Sequence, residues 1–419
     1  MYRRAQIWLR YSLPWLALLA SLPRPLDAAV AALGSPIATD ATKAASSTPD
    51  WCIQRCMCLS KTQILCNTGG FTDIPSKLPH NVEELTLSKN DFHEIRKNMF
   101  AHLRSLHKLE LDYNNISAIK PFAFNGLSKL KVLSIQHTPL AHIGEFSFAA
   151  LQNVTTILLA HNRIAYIAGK AFAGSSQIQF IMLTHNPLVV IQSNAFSGLT
   201  YVENLVLPGG IADIEPDAFN GFEYVGLLKM PYMDLKDGLK ANTFRGLKHV
   251  LKIMIQTSDL RIIRKDSFVG LDQVGSLNII SSKIDAIEEF HLNANYSVSI
   301  LRFQKNHVLR APRPDDVAFH VSNLYVEGNH FPCDCQIHLV LDSDFVNGSA
   351  NEFRRRNYCI SNAPEFNGRP MSSVDLDSIA SCHDRLTKDN YGSGVSVGSG
   401  ALSLLSLGFV YASRLLVLA

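Results

Sequence analysis

Apolar residues recur along the chain as L-x-x-L-x-L-x-x-N, or a close variant, eleven times at a spacing of about 24 residues. Counted from the first apolar position, the units open at Val82, Leu106, Leu130, Val154, Ile178, Val202, Val225, Val250, Val274, Val298 and Val321. The steps are 24 residues, with three slips of a single residue. The fourth and sixth positions are apolar throughout, as in Leu85 and Leu87, Leu109 and Leu111, Ile181 and Leu183, or Leu324 and Val326. In a strand alternate residues share a face, so this pair points inward. A second column confirms the register: Phe100, Phe124, Phe148, Phe172, Phe196, Phe219, Phe244 and Phe268 fall 17 to 19 residues into their units and pack the convex side. One such unit cannot bury its own apolar face, whereas a stack of eleven shares a continuous core. The pattern predicts one short strand per unit and a curved parallel sheet.

This is the sequence pattern of a leucine-rich repeat, and the expected fold is an α/β solenoid, a leucine-rich repeat horseshoe with a parallel concave β-sheet and disulfide-bonded caps. All eight cysteines lie outside the repeats: Cys52, Cys56, Cys58 and Cys66 precede the first, and Cys333, Cys335, Cys359 and Cys382 follow the last. Solenoid ends need caps, and small caps without a core of their own are commonly stapled by disulfides, which places the chain in an oxidising compartment. Four cysteines with C-x-C spacing can also ligate zinc; the secretory signals described below favour disulfides. Each group allows three pairings.

Residues 52 to 382 resemble the extracellular leucine-rich repeat proteins with cysteine-rich N- and C-terminal caps. The N-cap is similar to that family's C-x3-C-x-C-x7-C in Cys52 to Cys66, and the C-cap to its P-x-C-D-C start in Pro332-Cys333-Asp334-Cys335. The resemblance implies the pairings Cys52 with Cys58, Cys56 with Cys66, Cys333 with Cys359, and Cys335 with Cys382. Where the family places a Trp after the C-x-C, this chain reads Gln336-Ile-His-Leu-Val-Leu341.

The ends read as processing signals. Residues 1–29 carry Arg3, Arg4 and Arg10, an apolar run from Tyr11 to Leu22 and small residues at Ala28 and Ala29, the layout of a signal peptide. Residues 30–50, rich in Ala, Ser, Thr and Pro, form a flexible leader. The N-cap then spans 51–81, the repeats 82–331 and the C-cap 332–383. Residues 384–419 offer small residues at Asn390, Gly392 and Ser393, a Gly/Ser spacer, and an apolar segment from Ala401 to Ala419, the pattern of a GPI-attachment signal. A transmembrane helix is the rival, but the segment is marginal in length and contains Arg414. The formal net charge of +3 becomes −1 once Arg3, Arg4, Arg10, Arg24 and Arg414 leave together with Asp27, and nothing then points to nucleic acid. Sequons at Asn115, Asn153, Asn295 and Asn347 fit glycosylation on the secretory route.

Ligand chemistry would sit on the concave face. Position five reads Thr86, Glu110, Ser134, Leu158, Met182, Val206, Lys229, Met254, Asn278, Arg302 and Tyr325, apolar in its middle. Strands about 4.8 Å apart bring Leu158, Met182 and Val206 into contact, with Phe180 and Leu227 beside them at position three. These five residues form a candidate exposed apolar patch, of the kind that marks protein-binding sites. Position eight carries Tyr113, His137, His161 and His185 in successive repeats, an amphipathic ladder open to a metal or pH role. At position nine Asn90, Asn114, Asn162, Asn186, Asn306 and Asn329 satisfy loop backbone. There Thr138, Ser258 and Ser282 substitute partly and Gly210 and Met233 cannot; with Pro208 and Pro231 nearby, repeats six and seven are the expected irregularity. Arg354 to Arg356 make a short basic run in the C-cap. The G-x-S-x-G match at Gly394 to Gly398 lies in the spacer, without the strand-turn-helix a nucleophile elbow requires.

No catalytic motif, metal site or cofactor site is expected. The layout resembles connectin-type and Nogo-receptor-type proteins, which implies a GPI-anchored adhesion molecule or co-receptor on the extracellular face of the plasma membrane. Its partner would be an extracellular protein ligand or a second copy of the chain, and signalling would need a transmembrane co-receptor. The alternative is innate immune recognition of a microbial or lipid ligand.

Overall fold

The computed structural model describes residues 51–379, apart from 68, 176, 294–297, 363 and 378. Residues 1–50, where a signal peptide and a leader were expected, the expected attachment sites Asn390, Gly392 and Ser393, the sequon at Asn295, and Cys382 lie outside the described residues. No helix among the described residues is long and apolar enough to cross a membrane.

One sheet of 13 strands runs through the chain. It opens with an antiparallel pair, β1 (Met57–Cys58) and β2 (Gln63–Leu65), and continues in parallel, one strand per repeat. Those strands are β3 (Glu84–Thr86), β4 (Lys108–Glu110), β5 (Val132–Ser134), β6 (Thr156–Leu158), β7 (Gln177–Met182) and β8 (Tyr201–Val206). Then follow β9 (Tyr224–Pro231), β10 (Val250–Gln256), β11 (Val274–Ile280), β12 (Val298–Gln304) and β13 (Asn323–Glu327). The fourth position pairs with the fourth position across every step, as in Leu85 with Leu109, Ile181 with Leu205 and Leu301 with Leu324. The single-residue slips are taken up in loops, since Val202, Val225 and Val250 remain paired in register. Pro231 ends the longest strand and still pairs with Gln256, so the expected irregularity of repeats six and seven does not shift the pairing.

Inward residues of positions four and six are fully buried as far as repeat ten, as are seven of the eight phenylalanines of the second column, and Phe268 is nearly so. Those rings form a spine in which neighbours stack at 5.3 to 6.3 Å between centroids. Tight turns follow the phenylalanines: at Gly198, with φ of +100°, a Cβ would stand 2.6 Å from the Cα of Ala173. In repeat eleven Leu324 and Val326 are only half-buried, beside a cavity of about 190 Å³ that Phe345, Phe353 and Asn347 also line.

Strand length changes along the stack. β3 to β6 hold three residues each, while β7 to β12 hold six to eight. The return limbs of earlier repeats pair in twos through two-residue strands, and from repeat eight onward they join a five-stranded second sheet, with five-residue strands at Asp259–Ile263 and Lys283–Ile287. Within the described part of each repeat the return runs through turns and short strands; the described α-helices are α1 (Ile337–Leu341) and α2 (Ala350–Arg356). α1 occupies the stretch in which this chain departs from the resembled family's Trp, and it buries Ile337 and Val340.

The asparagines of position nine work as a ladder. Asn114 donates from Nδ2 to the carbonyls of Leu87 and Leu111, and its Oδ1 accepts from the backbone of Phe92. Asn162, Asn186, Asn306 and Asn329 repeat the arrangement, each bonded to the repeat before it. Where asparagine is missing, Ser258 Oγ accepts from Met233 N–H and Ser282 Oγ from Ser258 N–H. The ladder continues into the C-cap, where Asn357 accepts from Asn329 N–H at 3.0 Å and donates to the carbonyl of Val326.

Disulfides join Cys52 to Cys58, Cys56 to Cys66, and Cys333 to Cys359. Cys335 is also disulfide-bonded. The Cys333–Cys359 bridge ties the strand His330–Pro332 to its parallel neighbour Tyr358–Ile360.

Candidate functional site

Positions three, five and seven of each repeat face away from the core, and their character changes along the sheet. On the first strands the polar groups satisfy one another: Gln63 Nε2 donates to Glu84, Thr86 Oγ1 to Glu110, and Ser134 Oγ to Asp112 at 2.7 Å, while Lys108 pairs with Glu110. In repeats nine to eleven Asn278, Arg302 and Tyr325 form a second polar group, with the guanidinium of Arg302 over the Tyr325 ring. Between them position five is apolar from Leu158 to Val206.

Strand pairing sets Leu158 opposite Met182 and Met182 opposite Val206, so the three make a continuous row across β6, β7 and β8. Phe180 stands two residues before Met182 on the same face, paired with Thr156 and Asn204. Leu227 lies one strand beyond Asn204 and so is not a neighbour of Phe180. An exposed patch was expected, but all five side chains are half-buried, because residues one strand spacing apart cover each other's flanks. What remains is a shallow apolar floor in place of a protruding one.

The ladder at position eight borders this floor. Each of its residues has a left-handed backbone, with φ of 55 to 58°. Asn, Asp and His tolerate that region better than most residues. Backbone bonds from Tyr113 N–H to the Gln136 carbonyl, His137 N–H to that of Ala160, and His161 N–H to that of Thr184 keep the four positions superposed. The rings then stack face to face: 4.4 Å from Tyr113 to His137, 4.5 Å to His161 and 4.1 Å to His185, with planes within 8° of parallel. Desolvation between the flanking rings, reinforced by the charges His185 and His137 would carry, pushes His161 below the ordinary histidine range. Parallel rings present their in-plane nitrogens side by side, a poor geometry for sharing one ion. Among the described residues no group of three or more His, Cys, Asp or Glu side chains could hold a metal. The stack stops at Gly209, where a Cβ would stand 3.0 Å from that of Tyr232, and resumes the aromatic character at Tyr232, which is 64% exposed.

The opposite edge carries a feature the repeat pattern did not flag. Tyr201 and Tyr224, each just before the first apolar position, stack at 4.6 Å, and Tyr201 Oη donates to Glu203 at 2.8 Å. Two tyrosines in the same place in consecutive repeats were the available signal. The sequons at Asn115, Asn153 and Asn347 are exposed, and Nδ2 of Asn153 donates to the Ser128 carbonyl. The basic run sits in the last turn of α2, where cations suit the helix dipole. Arg354 is committed to Asp377, and Arg356 to Glu327 and Glu352, so two of its three charges are answered within the chain.

Residues 93–226 match the family described as BspA type leucine rich repeat region, in six copies. No curated protein matches the chain in sequence. A crystal structure of a TLR13–ssRNA13 complex is similar at 20% identity and a TM-score of 0.45, over 68% of this chain and 47% of that one. The chain thus spans about half the length of that receptor chain. The register of eleven parallel strands, the asparagine ladder and the matched repeat region make this a leucine-rich repeat solenoid with disulfides at both ends of its repeats.

Proposed function

We propose that this chain is a cell-surface binding protein, an adhesion molecule or co-receptor, that recognises an extracellular protein ligand through the concave face of its repeats. The observation that carries the reading is the unbroken row Leu158–Met182–Val206, with Phe180 beside it, on the outward side of the sheet and bordered by the Tyr113-to-His185 stack. Contiguous apolar surface of this kind is uncommon on proteins that bind nothing. Aromatic side chains are enriched where proteins meet. The floor is also preorganised, since pairing on both flanks holds each strand, and little chain entropy remains to be lost on binding. Changing Phe180→Glu and Met182→Arg together should abolish capture of a partner by cells displaying the chain, a loss of about 2 kcal/mol of affinity or more. Half-buried, outward-facing residues should alter folding stability by about 1 kcal/mol or less. Binding that survives in a folded double variant would count against the concave face.

Attachment through a GPI lipid at Asn390, Gly392 or Ser393 completes this reading, supported by the small residues, the spacer and the apolar segment that follow one another there. A lipid-held protein reaches the cytoplasm only through a transmembrane partner. Phosphatidylinositol-specific phospholipase C should release the chain from intact cells; retention of the apolar segment in the mature protein would refute the anchor.

A further inference from the structure

Lys229 stands in an apolar setting. It holds position five of repeat seven, and its strand partners are Val206 on one side and Met254 on the other. Leu227 and Pro231, two residues before and after it, share its face. Lys252 is its diagonal neighbour, paired with Leu227 and Ser276. Both lysines are half-buried. Among the described residues neither has a carboxylate within ion-pair distance, whereas Lys108, Lys240 and Lys283 all do. In the free protein each stem can lie on apolar neighbours with its ammonium in water. A partner covering the floor would take those ammonium groups out of water, which is costly for an unpaired charge. It must therefore bring negative charge to this point.

Resting on the concave-face reading, we infer that repeats four to eight receive an acidic segment of a protein ligand. An apolar side chain of that segment sits on Leu158, Met182 and Val206. An Asp or Glu carboxylate, one to two strand spacings or about 5–10 Å away, meets Lys229 and Lys252. The same face argues for a protein segment over a polyanionic glycan or an anionic membrane. Among the described residues it offers a polyanion these two lysines and Arg302, whose guanidinium already lies over the Tyr325 ring, and it carries Glu84, Glu110 and, just past its strand, Asp112, which a long polyanion would also have to cross.

A random linear peptide library panned on the full chain, and in parallel on the full chain with Lys229→Glu and Lys252→Glu, tests this. Wild type should enrich peptides with an acidic residue close to an apolar one. The charge-reversed chain should bind those peptides about 30-fold more weakly and select Lys or Arg instead. Lys229→Met preserves the apolar floor while removing a cation; an intermediate loss with unchanged melting shows that the effect is charge and not unfolding. Absence of acidic enrichment on wild type relative to the charge-reversed chain overturns the inference. If peptides without acidic residues are still lost on Met182→Arg, the concave-face reading stands and this inference alone fails. Binding that ignores both Met182→Arg and Lys229→Glu removes the concave-face reading itself. Heparin or phosphatidylserine vesicles that bind wild type and displace the peptides, but not the charge-reversed chain, would assign the lysines to a polyanion and overturn the protein ligand.

Discussion

Phe172→Ala should lower the free energy of unfolding by about 3–5 kcal/mol, the usual range for deleting a fully buried aromatic ring. Phe172 is fully buried and stacks on Phe148 at 5.3 Å and on Phe196 at 6.3 Å, so truncation empties one place in the spine and strips a ring contact from each neighbour. In a stack where each repeat touches only the next, the damage should be local before it is global. Denaturant unfolding should show the drop, and amide exchange should show protection lost first in repeats three to five, which hold Phe148, Phe172 and Phe196, while repeat one retains its own. A loss below about 1 kcal/mol would mean that the neighbours collapse into the space and that the spine does not act as a unit.

The second large effect is expected at the C-cap. Converting Cys333 and Cys359 together to serine removes a bridge spanning 26 residues. Loop-closure entropy alone assigns that bridge about 3.5 kcal/mol, within the 2–5 kcal/mol typical of native bridges in small extracellular domains. The position raises the stakes: the bridge holds Tyr358–Ile360 against His330–Pro332, and beyond it β13 is already only half-covered. Melting should begin from this end, with reduced recovery of folded protein. A double variant that melts with wild type would show that side-chain packing of Ile337, Val340 and Phe353 suffices to close the stack.

Periodicity carried most of this architecture. Positions four and six, the phenylalanine column and the neighbour relation of Leu158, Met182 and Val206 all follow from a repeat close to 24 residues, because a constant period forces like positions into adjacent strands. Period says nothing, however, about how deeply a residue sits. Half-burial of Met182 and Phe180 depends on the width of neighbouring side chains, and the separation of Leu227 from Phe180 by Asn204 depends on a strand lying between them. The role of Asn357 was equally hidden: it follows Asn329 by 28 residues and lies outside any L-x-x-L pattern, so only the fold brings it to the end of the ladder. The position-five column already set Lys229 between Val206 and Met254; what it could not show is that, among the described residues, no carboxylate comes within ion-pair distance of Lys229 or of Lys252.

The asparagine ladder also has a direction in time. Phe92 finds its acceptor in Asn114, Ile164 in Asn186, Ser282 in Asn306 and Asn329 in Asn357, always in a residue still to be synthesised when the donor is made. As the chain emerges from the ribosome, each turn that donates to this ladder therefore waits with an unmet amide for the turn behind it, the exceptions being the turns that precede Gly210 and Met233, which offer no side-chain acceptor. Where the ladder runs, folding can advance no closer than one repeat to the growing end. The last turn locks only when the cap delivers Asn357, so a nascent chain stalled short of that residue would keep an open, hydrogen-bond-hungry terminus however many repeats it had already stacked.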